Sequence, residues 1–208
     1  MKISSLLYLG AIIVLRSCAI GTRQRAINEI PEYGHQPKSP YLLQADQEFL
    51  STVKGQESEA YNEINNCGWK LLQQGDIKTA VKRFNQAWLI DSTRFEAHWG
   101  FAVAEGRLEN FQSSKHYYEK ALSLGGDPKV LNPEYAIVLR EIAKAEKNSE
   151  KITEADNLFK SEIEAGNEKA ACIYAYQLFR ENKKDEVCQV MKSCSTDSDN
   201  LKKRASCN

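Results

Sequence analysis

A spacing of 34 residues recurs down this chain in four columns, and it restricts the fold more than any other feature. Gly68, Ala102 and Ala136 share one column, Ala80 and Ser114 a second, Phe84 and Tyr118 a third, Ala87 and Ala121 a fourth. Small residues recur where two helices must touch, with an aromatic four positions after one of them. A period of that length reads as stacked helix–turn–helix units. One unit cannot bury its own apolar face, so the units must stack, and the stack presents a continuous surface.

The first unit spans 61–94. Ile64, Cys67, Gly68 and Leu71 follow helical spacing, Gly75-Asp76 makes the turn, and Ile77, Ala80, Val81, Phe84, Ala87 and Trp88 mark a second helix. The second unit, 95–128, carries His98, Phe101, Ala102 and Glu105, then Phe111, Ser114, Tyr118, Ala121 and Leu122. The third, 129–165, is expected to start its first helix at Asn132-Pro133, a cap followed by proline. It needs seven extra residues between its helices, which the stretch Ala143–Lys151 absorbs as a longer helix or a longer loop. A weaker fourth unit, 166–194, is marked by Ala171, Tyr174, Ala175, Leu178, Val187 and Met191. Divergence is expected in a terminal repeat, whose outer face meets water.

Outside the repeats the reading changes. Ser39-Pro40 opens a leading helix over 40–55, with Tyr41, Leu42, Ala45, Phe49 and Val53 on one stripe and Gly55 at its end. Residues 19–39 hold Pro31, Gly34 and Pro37 and little periodicity, which predicts a linker. Residues 1–18 read as an export signal: Met1-Lys2 is a positive start, and Ile3–Leu15 is almost wholly apolar but, at about 20 Å of helix, too short to span a bilayer. Leu15-Arg16-Ser17-Cys18 resembles a bacterial lipobox, with Arg16 departing from the pattern. That resemblance implies lipidation at Cys18 and, with Ala19 next, a lipid anchor on the periplasmic side of the outer membrane. Cleavage after Ala19 would instead give a soluble periplasmic or secreted chain.

Export bears on the cysteines. Cys172, Cys188, Cys194 and Cys207 cluster near the C-terminus, where an oxidising compartment favours disulfides among them. Four cysteines allow three pairings. A bridge from Cys207 to Cys194 or Cys188 would pin the polar tail, 195–208, onto the last helix. Cys67 occupies a core position as a small hydrophobe.

Lys and Arg number 28 and balance 28 Asp and Glu, so nothing in the balance points to a nucleic-acid partner, which would need a clustered basic excess. The chain shows no His-Glu-x-x-His, Gly-x-Ser-x-Gly or phosphate-binding glycine loop. Its three histidines, His35, His98 and His116, are isolated in sequence, with His98 on a core stripe. No catalytic residue, metal site or cofactor is expected.

Together these residues resemble the tetratricopeptide repeat family. Ile64, Cys67, Gly68, Leu71, Gly75, Ile77, Ala80, Phe84 and Ala87 follow its pattern throughout the first repeat. The second departs at Glu105, where a large apolar residue is usual, and at Glu109, where glycine is usual. The resemblance implies an all-α, right-handed α-solenoid of antiparallel helix pairs whose first helices line a concave groove. Carried onto this chain, the groove residues are Asn62, Asn65, Trp69, Leu72, Gln73, Glu96, Trp99, Val103, Arg107, Ile137 and Arg140. Two tryptophans flanked by Arg107 and Arg140 suit an extended peptide with an apolar residue and a carboxylate. The expected function is a non-enzymatic scaffold of the bacterial envelope, binding protein or peptide partners and monomeric without them. The alternatives are a structural subunit or assembly factor of an envelope complex, or a thiol-dependent activity of the C-terminal cysteines.

Overall fold

The structure is a computed structural model that describes residues 24–194, 203–205 and 207. The expected signal peptide and the lipidation site Cys18 lie outside these residues. Among the described residues every regular element is helical, and no helix is long and apolar enough to cross a membrane. The helices are α1 (Pro40–Thr52), α2 (Glu57–Gln73), α3 (Ile77–Ile90), α4 (Phe95–Arg107), α5 (Phe111–Ser123), α6 (Pro128–Ala145), α7 (Ser149–Glu164), α8 (Glu168–Arg180) and α9 (Lys184–Val190).

From α2 onward the helices pair in order: α2 with α3, α4 with α5, α6 with α7 and α8 with α9. Each pair stacks on the next through α3 on α4, α5 on α6 and α7 on α8. The result is an all-α solenoid of stacked antiparallel helix pairs. The aromatic column is its spine, since Phe84, Tyr118 and Phe159 are all buried. Phe84 shows why its neighbours are small: a Cβ at Gly68 of α2 or at Gly100 of α4 would lie 2.5 Å from its ring. The ring is plugged between two backbones, and only glycine admits it.

The turns inside the pairs repeat as well. Gly75, Glu109, Lys147 and Asn182 each take a positive φ at the hinge between first and second helix. Gly75 does so without steric cost, and the other three accept the left-handed conformation that ends a helix sharply. The third pair absorbs its insertion by lengthening both helices, to 18 residues in α6 and 16 in α7 against 13 each in α4 and α5.

The expected start of α6 is corrected. The helix begins at Pro128, capped by the Asp127 side chain, which accepts the Lys129 N–H at 2.9 Å. Pro133 therefore lies inside the helix. Having no N–H, it leaves the Lys129 carbonyl free, and Asn167 Nδ2 donates to that oxygen at 2.7 Å.

The expected linker is also corrected. Residues 24–38 do not run free: they form a strap of two tight turns, Ile27–Glu29 and Pro31–His35, packed on α3. Within the second, Glu32, Tyr33, Gly34 and His35 all have φ between 49° and 64°. Polar recognition replaces hydrophobic periodicity here, which is why no pattern announced it. Helix α1 also packs on α3, keeping Leu42, Ala45 and Phe49 half-buried with none fully buried, and Tyr41 is exposed.

At the far end, disulfides join Cys172 to Cys194 and Cys188 to Cys207. The second brings the tail turn 203–205 onto the last pair, where Ala205 is buried and the Arg204 guanidinium lies 5.0 Å above the Phe179 ring. Cys67 is a free thiol of intermediate exposure on α2.

Candidate functional site

The first helices of the pairs share one face. Helix α2 touches α4, α6 touches α8, and a hydrogen bond from Trp99 Nε1 of α4 to Glu134 Oε2 of α6, 2.9 Å long, spans the remaining gap. Between α2, α4 and α6 lies an open cavity of about 370 Å³, with Trp69, Gln73, Val103, Arg107 and Ile137 on its walls and Tyr118 among its lining residues.

Each wall follows from the repeat. Trp69, Val103 and Ile137 come one residue after Gly68, Ala102 and Ala136, the small residues that face the paired helix. A residue one step on, about 100° around the helix, turns toward the shared face. The Trp69 and Trp99 rings lie 4.5 Å apart at 56°, and Trp69 also meets Phe84 edge-on at 5.5 Å. Both indoles are half-buried, so they form a shelf that is partly core and partly surface.

Glu134 organises the floor. Its Oε2 accepts from Trp99 and, at 3.3 Å, from the Tyr118 hydroxyl, while Oε1 pairs with Lys169 Nζ of α8 at 3.0 Å. Burial, with the Glu134 charge beside it, holds the Tyr118 phenol well above its ordinary range, so it stays a neutral donor. The carboxylate thus locks α4, α5, α6 and α8 in one arrangement.

Arg107 completes the rim. It is exposed, and one guanidinium nitrogen donates to the Leu72 carbonyl in the last turn of α2. That partner is neutral, so the bond fixes the side chain without cancelling its charge.

Not every expected groove residue joins this site. Asn62 and Glu96 are both tied to Arg94, at 2.8 and 2.9 Å, and the Arg94 guanidinium stacks 3.8 Å over Tyr61. Asn65 is buried rather than presented. Arg140 is corrected outright: only 1% exposed, it pairs with Asp156 of α7 at 2.6 Å and with Glu181 through two nitrogens at 3.0 and 2.9 Å. The reason is register. Arg140 stands 34 residues beyond Gly106 and 68 beyond Leu72, a column that points inward, whereas Glu141 is the counterpart of Arg107 and Gln73.

Two residues were missed. Glu134 carries no motif, and only contact with three partners reveals it. Tyr176 follows Ala175 as Trp69 follows Gly68, so the column rule already contained it; it is 53% exposed and extends the apolar row onto α8.

The histidines are also less isolated than the sequence suggests. His98 Nε2 lies 3.2 Å from Glu32 Oε1 and His35 Nε2 lies 3.4 Å from Glu32 Oε2. Burial pushes the Glu32 carboxyl up, but the His98 hydrogen bond and the charges of His98, His35 and His116 outweigh it and hold it below the usual carboxylate range. This cluster joins the strap, through Glu32, to His98 of α4. Among the described residues no group of three or more His, Cys, Asp or Glu is arranged to hold a metal ion.

No family model matches the chain, and no curated protein matches it. Among solved structures it is similar to YrrB, described as a TPR protein with an unusual peptide-binding site, at 19% identity and a TM-score of 0.45. That similarity covers 70% of this chain and 72% of the other. The paired helices, the recurring left-handed hinges and the buried column Phe84, Tyr118 and Phe159 themselves make this chain an all-α solenoid of stacked helix pairs.

Proposed function

We propose that this chain is a non-enzymatic scaffold that holds a protein partner through an extended peptide seated in the groove between α2, α4 and α6. The observation that carries this reading is that Trp69, stacked against Trp99, lines the same cavity as Arg107. An apolar side chain of the peptide rests on the indoles and is removed from water, and a carboxylate of the peptide meets the remaining guanidinium donors of Arg107. Because Glu134 fixes the floor beforehand, little ordering is left to oppose binding. Tyr176 gives the peptide further apolar contact toward α8.

The compartment belongs to the same proposal. Two disulfides in the last repeat and tail support export to an oxidising space. Lipidation at Cys18 and an outer-membrane address remain the reading of the N-terminal sequence.

Selection from a random peptide library on the whole chain tests the groove. Recovered peptides are expected to share an apolar residue near an acidic one, and Arg107→Glu should abolish their binding by at least about tenfold, the scale of one charge-assisted hydrogen bond. Arg107 is the cleaner probe, because Trp69 also packs on Phe84 and its removal would cost stability. Peptides that bind Arg107→Glu as well as they bind the parent would overturn the proposal.

A further inference from the structure

The side of the solenoid away from the groove contains a second recognition surface, already filled. Between α3, α4 and α5 the chain buries polar side chains that a repeat core has no use for. Asn85 is fully buried, His98 is 1% exposed and Glu105 is 3% exposed. All three are answered by the strap. Asn85 Oδ1 accepts the Glu32 N–H at 2.8 Å, and its Nδ2 donates to the Asn28 and Ile30 carbonyls at 3.1 and 2.9 Å. His98 meets Glu32, and Glu105 meets Arg25 Nη2 at 2.7 Å. Lys82 adds an ion pair to Glu29 at 3.2 Å.

These contacts have the form of a bound peptide. One amide reads the backbone in three places, and charged residues read side chains along the strap. The strap is joined to the solenoid weakly. Helix α1 has no buried residue, and the loop after it turns at Gly55, with φ 85° and open space around it. The strap also carries a conformational cost of its own, because Glu32, Tyr33 and His35 are non-glycine residues held in the left-handed region.

We infer that the surface around Asn85 is a peptide seat with a second copy of this chain as its partner: the strap of one molecule can leave its own seat and occupy the seat of another, arm for arm. The identical sequence supplies the Arg25, Glu29 and Glu32 side chains that the seat reads, so the exchanged contacts are the same ones. In the isolated chain the tether keeps the local strap at high effective concentration and the molecule closed on itself.

Complementation between two full-length variants tests this. One carries a broken seat and an intact strap, Asn85→Asp, which faces two backbone carbonyls with an acceptor. The other carries an intact seat and a broken strap, Arg25→Glu with Glu32→Gln. Should Asn85→Asp fail to retain helical circular dichroism, Lys82→Glu, at a half-exposed position, replaces it by repelling Glu29. Hydrogen exchange is expected to show the strap amides of Glu32 and Tyr33 losing protection at least tenfold in each variant. Light scattering should find each variant monomeric alone and the equimolar mixture approaching about twice that mass. Three results would overturn the inference: strap amides as protected in the seat variant as in the parent; a mixture that stays at monomer mass although both straps are released; or association that persists when the broken-strap chain also carries the seat substitution.

Discussion

Gly68→Ala and Gly100→Ala are the substitutions on which sequence and structure disagree most. The column Gly68, Ala102, Ala136 reads as interchangeable small residues, and alanine gains about 1 kcal/mol over glycine in a helix interior. The structure predicts the opposite sign. A Cβ at either position lies 2.5 Å from Phe84 Cε1, about 1 Å inside normal carbon–carbon contact. Both glycines press the same ring carbon from different helices, so the ring cannot retreat from one without meeting the other. Relief requires α2 and α4 to move apart, and overpacking of that kind costs about 1–3 kcal/mol. With no easy relaxation the upper end applies, leaving a net loss of about 2 kcal/mol, or about 4–8 °C in Tm for a domain of this size. Thermal and urea unfolding followed by circular dichroism measure it. In the cycle with Phe84→Leu, the smaller side chain should recover at least about 1 kcal/mol of the loss, as expected of residues in direct contact. A neutral or stabilising Gly68→Ala, or a cycle with no coupling, would refute the argument that the ring is pinched.

Glu109→Gly should stabilise the fold by about 0.5–1 kcal/mol, because Glu109 takes φ 61° at the hinge where the first repeat has Gly75; unfolding in urea reads the gain. Burial raises the Glu181 carboxyl, but Arg140 and Lys144 outweigh burial and hold it at about 2, against an ordinary 4.5. A depressed carboxylate contributes stability that is present above its unfolded value and lost as pH falls toward its folded one. Glu181→Gln should therefore lower stability by about 2 kcal/mol at pH 7, through two charge-assisted hydrogen bonds weakened, and the gap in Tm should close between about pH 5 and pH 2. Replacing Cys188 and Cys207 by serine removes a tie across 19 residues and should cost about 3 kcal/mol, with exchange at Arg204 and Ala205 rising first.

The solenoid was legible because its packing rules are local and repeat. Phe84 and Tyr118 declared themselves by spacing, and Tyr176 could have been found by the same rule. Arg140 was misplaced by one position, which on a helix rotates a side chain by about 100° and here carries it from the groove into the interior. Its true partners, Asp156 of α7 and Glu181 just past the end of α8, follow no spacing rule. The strap was illegible for a different reason. It is held by Asn85, His98 and Glu105, whose partners lie 53 or more residues away in sequence at Asn85 and 66 and 80 away at the other two, and no periodicity runs between them. Glu105 stood out only as a departure from the tetratricopeptide pattern the chain resembles, and the structure turns that departure into an anchor. The cysteine cluster was clear, but its pairing needed the geometry of α8, α9 and the tail.

The two sulfur links give the solenoid a direction. In a stack where each unit leans only on its neighbours, thermal opening starts at whichever end is held least. Here the last pair is stitched within itself and to Cys207, so its two helices cannot unravel from each other as those of a free terminal unit would. Among the described residues the opposite extremity has no such stitch: α1 rests lightly, and the polar latch beneath it is the first thing water can replace. Opening is therefore expected to start at the N-terminal side, with the cross-linked extremity holding its own helices together longest.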